Sequence, residues 1–469
     1  MSPLSLKYLL FILLGVFIYW LVPDRYRKPF LILYSSIFAL SYGMIKFIVL
    51  IAYVLFVYLL SKNNKSKKQL IINIALTILP LLITKYANSF IIYFSYFMKT
   101  EMSEVSFTIL GISYLSFKGV SYLVDTYQNK YDQIMPMDFY LYMIFYPALL
   151  SGPIEKADHF VKEINKEKEF DEGKILTGMI VFVCGLAIKT IIASRLQPIV
   201  RVVLDRSEEY GIVCVLAMIL YSIYIYCDFC GYSYMALGSA KMLDIEVINN
   251  FKFPYMSLSI KEFWGRWHSS LNIWLRDYIY IPLGGNRKGR IRKYINILLV
   301  FVISGIWHGA TPGFVLWGIM NAVYQIIGDI TSGIRNKAYK TLHLENTLLL
   351  KTLKIVNTFI LIMITWIFFD RGLFNGLITL KSFLYVPDNL HNLLLEDFHV
   401  GTFISLAIAV LFSIVLLVLE IAYLCKPSGF MSKKLSMKYM TLFALLLVVL
   451  VFGVHGNGYN ASDFIYFDF

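Results

Sequence analysis

"RWHSSLNIWLRDYIYIPLGGNRKG", residues 266–289, sets three arginines, a lysine, an aspartate and a histidine into a chain otherwise rich in leucine, isoleucine, phenylalanine and tyrosine. Such a stretch cannot lie in hydrocarbon, but aromatic rings beside charged partners suit a headgroup boundary or a protein-lined cavity. Across 255–293, Trp264, Trp267, Trp274, Tyr278 and Tyr280 interleave with Glu262, Arg266, His268, Arg276 and Asp277. The segment is therefore expected to be interfacial or re-entrant and to end in a basic cytoplasmic loop.

The sequence around it is that of a membrane protein. Of 469 residues, 58% are hydrophobic and only 16% charged, and the mean hydropathy is +0.66. That is more apolar surface than a soluble core absorbs, so an all-α polytopic membrane protein is expected. Apolar windows recur at 8–22, 29–60, 70–98, 105–124, 138–150, 175–204, 211–240, 294–330, 350–369, 401–425 and 437–454. At about 20 residues per crossing they predict roughly ten to thirteen spans, some tilted or re-entrant. No internal repeat or soluble domain interrupts them, so residues 1–469 read as one membrane domain. The first apolar run is followed by "DRYRK" (24–28) and lacks a small-residue cleavage site, which predicts a retained span.

The net charge of +13 does not point to nucleic acid, because lysine and arginine fall in short loops: "SKNNKSKK" (61–68), "NRKGRIRK" (286–293) and "KPSGFMSKK" (426–434). That is the positive-inside pattern, and it leaves the acidic loop "PDNLHNLLLEDFH" (387–399) outside. The interval 151–174 is expected to be a mixed-charge cytoplasmic or interfacial loop. Cys184, Cys214, Cys227, Cys230 and Cys425 lie in or at the end of apolar windows, so no disulfide framework is expected. The pair in "CDFC" (227–230) lacks the further ligands of a metal site and reads as two buried thiols.

Ionisable groups inside apolar windows are costly, so each needs a partner or a task. They are Lys118, Asp125, Lys189, Asp228, His308 and Glu420. Ion pairing or snorkelling would account for Lys118, Lys189 and Glu420. His308 differs because histidine can take and return a proton near neutrality. It follows Lys293 by 15 residues, about 22 Å along a helix that starts at the basic face, past the middle of a core about 30 Å thick. Gly305, Gly309, Pro312 and Gly313 would break the helix there and leave room for substrate. His268 on its own reads equally well as structural or chemical. The loop "GGNRKG" (284–289), with Arg287, Lys288 and Arg290 nearby, could receive phosphates, although topology also accounts for its charge. No Walker loop, GxSxG elbow, HExxH or dinucleotide fingerprint is present, which weighs against ATP-driven transport and a self-contained serine hydrolase.

"FWGRWHSSLNIWLRDYIYIPLGGNRKG" (263–289) followed by "SGIWHGATPGFVLWG" (304–318) resembles the paired signature of the membrane-bound O-acyltransferases, in particular their bacterial branch of alginate O-acetylation. Further echoes are "LVPDRYRKPFLILYSSIFALSYG" (21–43), "LGISYLSFKGVSYLVDTY" (110–127), "FYPALLSGPIEKADHF" (145–160), "GLAIKTIIAS" (185–194), "CDFCGYSYMALGSAKML" (227–243) and "FIYFDF" (464–469). The resemblance implies a helical bundle around a central funnel, with His308 as the catalytic histidine and His268 as a second functional one. It also implies supporting or substrate-binding roles for Asp228, Arg266, Asp277, Asn321, Arg287 and Lys288.

Three positions depart from the family pattern. Asn321 stands where many relatives carry a further histidine, Tyr234 where an acidic residue is common, and Gly265 where a basic one is.

The resemblance further implies an enzyme of a bacterial cell membrane that moves an acyl group, acetyl above all, from a cytoplasmic thioester toward hydroxyls of an extracellular polysaccharide. The donor, acetyl-CoA or a carrier-bound acyl group, would be a substrate, and no cofactor or metal is expected. An extracellular partner of SGNH type is implied, and a cytoplasmic acyl carrier protein is a second candidate. D-alanyl transfer to teichoic acid and a non-enzymatic flippase for lipid-linked glycan remain as alternatives.

Overall fold

The computed structural model describes residues 5–98, 109–345, 347–425 and 434–455. The closing "FIYFDF", the loop 426–433 and the side chain of Cys425 lie outside the described residues. Among the described residues the secondary structure is helical, with no strand. This is the outcome expected where a bilayer cannot hydrogen-bond the backbone.

Nine of these helices are long and apolar enough to cross a membrane. They are α1 (Met44–Lys62), α2 (Lys67–Met98), α3 (Glu172–Asp205, with a wide π turn at Ile188–Ala193), α4 (Val213–Met242), α5 (Gly289–His308), α6 (Pro312–Ile330), α7 (Leu348–Ser382), α8 (Val400–Cys425) and α9 (Leu435–Phe452). With the shorter apolar helix Leu6–Leu21 they stand at the lower end of the expected number. Two apolar windows do not become long helices. The window 138–150 breaks into Pro136–Ile144 and a single turn at Tyr146–Ala148, with Leu141 through Phe145 fully buried. The window 105–124 contributes Ile112–Tyr127, of which 13 residues are buried. Irregular backbone is tolerated there because protein surrounds it.

Apolar side chains do not drive helices together in lipid, so close packing must. The α3–α4 contact is made by glycines. A Cβ on Gly185 would lie 2.5 Å from the Gly231 carbonyl oxygen, and one on Gly238 would lie 2.5 Å from the Phe182 nitrogen. The α5–α6 hairpin uses the same device: a Cβ on Gly305 would meet the Phe314 oxygen at 2.4 Å, and one on Gly318 the Phe301 oxygen at 2.4 Å.

Charged contacts separate the two ends of the bundle. At one end Lys28 pairs with Asp138 (2.8 Å), Lys174 with Asp244 (2.9 Å) and Lys293 with Asp329 (2.6 Å). At the other, Arg201 pairs with Asp370 (2.8 Å), Arg206 with Asp397 (2.5 Å), and Arg371 with Asp205. The buried apolar side chains fall into two clusters. One gathers the N-terminal helices with Trp274 and Trp307, and the other gathers α4, α6 and α7 with Trp267 and Trp317.

Candidate active site

The segment 255–293 forms short helices at Ile260–Arg266 and Ser269–Leu275 and a π turn at Arg276–Tyr280. His268 separates the first two in left-handed conformation (φ 47°, ψ 52°), which is costly for a residue bearing a Cβ and must be held by its surroundings. Asn250 provides the hold. Its carbonyl accepts from the Ser269 amide (3.0 Å) and its side-chain oxygen from the Ser270 amide (3.2 Å). Ser270 Oγ in turn accepts from the Ile154 amide at 3.0 Å. The break thus fixes the direction of the imidazole, which packs at 4.8 Å edge-on to Phe229 and at 6.3 Å on Tyr114. Burial pushes its pKa down to about 3, so the ring is neutral under ordinary conditions.

His308 ends α5, as the glycines and Pro312 lead one to expect, and α6 restarts at Pro312. It is 4% exposed and lies where the two apolar clusters meet, with Trp307 at 4.6 Å, Trp317 at 5.2 Å and Phe369 at 4.9 Å between ring centroids. Trp307 also reaches toward His268 (6.5 Å between centroids). The indole N–H groups of Trp307 and Trp317 are buried with no acceptor among the described residues. Those of Trp264, Trp274 and Trp366 are satisfied by Asn321 Oδ1 (3.0 Å), the Phe117 carbonyl (2.9 Å) and Tyr255 Oη (3.2 Å). A buried donor without an acceptor costs about 1–3 kcal/mol, which an occupant of the cavity carrying an acceptor would recover at Trp317, a lining residue.

Both histidines line one cavity of about 1240 Å³. It extends from Lys293 at the basic end of α5 to His308 at the other end, about 22 Å by helical rise. Its lining carries five basic side chains, Lys261, Arg276, Lys293, Arg335 and Lys354, against one carboxylate, Asp329. The aromatic floor includes Trp264, Trp267, Trp317 and Trp366. A long cavity with a cationic mouth and two imidazoles at depth can admit an anionic molecule and perform proton transfer at its inner end.

The remaining expected residues are spread more widely. Asp228 is 1% exposed and paired with Lys189 inside the α3–α4 contact, apart from the cavity lining. Arg266 bonds Glu262 at 2.6 Å and the Phe253 carbonyl at 3.4 Å. Asp277 bridges Lys156 (2.6 Å) and Arg276 (2.7 Å), tying the segment 255–293 to the 151–174 loop. Both nitrogens lower its pKa against the burial that raises it. Asn321 accepts from the Trp264 indole through Oδ1 (3.0 Å), which orients that cavity tryptophan, and donates through Nδ2 to the Trp317 backbone carbonyl one turn earlier in α6 (2.8 Å). Arg287 and Lys288 are exposed beside the mouth, while their neighbours Asn286 and Lys293 line it.

Sequence reasoning missed Lys261, Arg335 and Lys354, which look like ordinary loop or helix-end cations until folding gathers them at one mouth. It also missed Lys85, whose Nζ reaches the carbonyl of Trp307.

The model of the membrane-bound O-acyltransferase family matches residues 34–369, a span that includes both histidines. Among curated proteins, the chain is 31% identical over 377 residues to the probable alginate O-acetylase AlgI of Pseudomonas aeruginosa, covering 77% of this chain and 70% of that protein. It is 28% identical over 397 residues to the peptidoglycan O-acetyltransferase of Helicobacter pylori, covering 76% and 73%. It is 32% identical over 255 residues to the teichoic acid D-alanyltransferase of Bacillus subtilis, covering 50% and 62%.

Proposed function

The chain belongs to the membrane-bound O-acyltransferase family and is an O-acyltransferase, and from that premise we propose that it carries an acetyl group from a cytoplasmic thioester toward hydroxyls of an extracellular polysaccharide. The observation that carries this reading is the pair of buried histidines sharing one cavity with a cationic mouth. The mouth, with Arg287 and Lys288 beside it, attracts the phosphates of the donor, and its thioester reaches the inner end. There His308 accepts the proton of the acceptor hydroxyl as the oxygen attacks the thioester carbonyl carbon. The new C–O bond forms, the C–S bond breaks, and the proton passes to the departing thiolate, leaving an ester and a thiol. His268, held neutral in its fixed turn, orients the reacting groups. A thioester is reactive enough that positioning and one general base suffice, so no covalent serine and no resident cofactor is needed on this chain.

The membrane is proposed to be the bacterial plasma membrane, with the basic end in the cytoplasm, as positive-inside loops favour. The ester so formed is an intermediate one, and its onward transfer to the polysaccharide hydroxyl outside is assigned to a partner of SGNH type. The longer overlap with the alginate O-acetylase supports acetyl as the group moved. The D-alanyltransferase match supports the second reading, D-alanine from a carrier protein to teichoic acid. Membership of an enzyme family displaces the flippase alternative.

The test releases esters from the envelope with mild alkali and identifies them by mass spectrometry. A deletion strain is complemented with the wild-type chain or with His308→Ala. Acetate from the wild-type strain and a loss of about 100-fold or more in the variant are expected, within the range of a general base. D-alanine would select the second reading. Unchanged ester at equal protein level would remove His308 from the chemistry.

A further inference from the structure

The last carbonyls of a helix need partners, and at the end of α5 Trp307 and His308 are buried while Ile306 is exposed. Gly309 continues extended (φ 169°, ψ 179°), so no left-handed cap closes the turn. The Gly305 carbonyl accepts from the Gly309 amide at 3.4 Å, which leaves those of Ile306, Trp307 and His308. All three are met by α2. Lys85 Nζ donates to the Trp307 carbonyl and lies 3.5 Å from that of His308, and Tyr86 Oη donates to the Ile306 carbonyl and reaches Gly309 O at 3.3 Å. Nζ also sits 4.9 Å over the Trp307 ring, the ring that packs on both histidines.

We propose that Lys85 is a positioning residue for the acyl transfer, clamping the end of α5 so that His308 stays aimed into the cavity. The inference rests on His308 acting as the catalytic base. The clamp has an electrostatic side. The C-terminus of a helix carries partial negative charge, which would oppose the oxyanion that develops when the thioester carbonyl is attacked beside His308. The N–H dipoles that Lys85 Nζ directs at those carbonyls offset part of that charge. Lys85 does not line the cavity, so it acts through the backbone of Trp307 and His308 and not on the substrate. Arginine can span the same carbonyls with more donors, methionine fills the space without donating, and glutamine is too short to reach.

The experiment uses the full chain in the deletion strain and reads alkali-released ester per unit of membrane-inserted protein for Lys85→Met, Lys85→Gln and Lys85→Arg, with His308→Ala in parallel. We expect the Met and Gln variants to fall by about tenfold or more, since a displacement near 1 Å suffices for such losses, and the Arg variant to recover to within about threefold of wild type. If either variant fails to accumulate, the other carries the comparison. Wild-type ester from Met or Gln, or an Arg variant as low as these, overturns the inference. Wild-type ester from His308→Ala overturns the catalytic reading itself, whatever Lys85 does.

Discussion

Lys189 and Asp228, each 1% exposed, face one another between α3 and α4, with Gly231 close enough that a Cβ there would lie 3.0 Å from Lys189 Cβ. An ion pair so placed adds little net stability, but removing one partner leaves an uncompensated charge. Lys189→Met is therefore expected to cost about 3–5 kcal/mol, read as a lower unfolding temperature of the protein in detergent. The double variant Lys189→Met with Asp228→Leu should regain most of that loss. Full stability of Lys189→Met would show that the pair is not held together in the membrane. Asp228, conspicuous in the sequence as a buried acid, pairs with Lys189 in the α3–α4 contact and is not among the residues that line the cavity.

At the scale of elements, the α5–α6 hairpin sets where His308 ends up. Gly305 lies one turn before the histidine and against the Phe314 backbone, so Gly305→Ala must push α6 away by more than any side chain can absorb. Overpacking of this kind typically costs about 1–3 kcal/mol. Both a lower unfolding temperature and a drop in ester per folded protein are expected, because the helix end that moves carries the imidazole. A variant at Gly265, where a Cβ would meet nothing within 4 Å, should leave the unfolding temperature unchanged and serves as the control for stability.

For the molecule as a whole, the proposed function makes the cationic mouth the entrance for an anionic acyl donor. Arg335 is exposed and Lys354 half-buried, and both line the cavity. Reversing them together, Arg335→Glu with Lys354→Glu, should raise KM for an anionic acyl donor about tenfold or more and leave kcat within about twofold, because the change lies at the far end of the cavity from His308. The check is the initial rate of thiol release from acetyl-CoA by the full-length protein in liposomes. In the wild type the same KM should rise with salt, since the Debye length shrinks to about 8 Å near physiological ionic strength. A KM indifferent to both changes would move the donor entrance elsewhere.

Hydrophobic windows, the clustering of cations in short loops and the spacing of His268 and His308 were legible without any structure. Each is local: a run of apolar residues must form a helix in lipid, and a histidine among glycines and a proline must lie at a helix break. The alternation of charged and aromatic residues across 255–293, which no single helix face can bury, likewise predicts the breaks between its short helices. What only the tertiary structure decided is which of these meet. Lys85 reads as one more lysine near the end of an apolar run, yet it contacts Trp307, 222 residues away, and no periodicity announces such a contact. The window 138–150 is as apolar as a span, but packing buries it as a broken helix. The Trp264 indole donates to Asn321 Oδ1, 57 residues away, and no spacing in the sequence announces that bond. Side-chain chemistry and local pattern determine the elements and the candidate groups, whereas long-range packing selects which groups share a cavity, because only folding sets the distances between them.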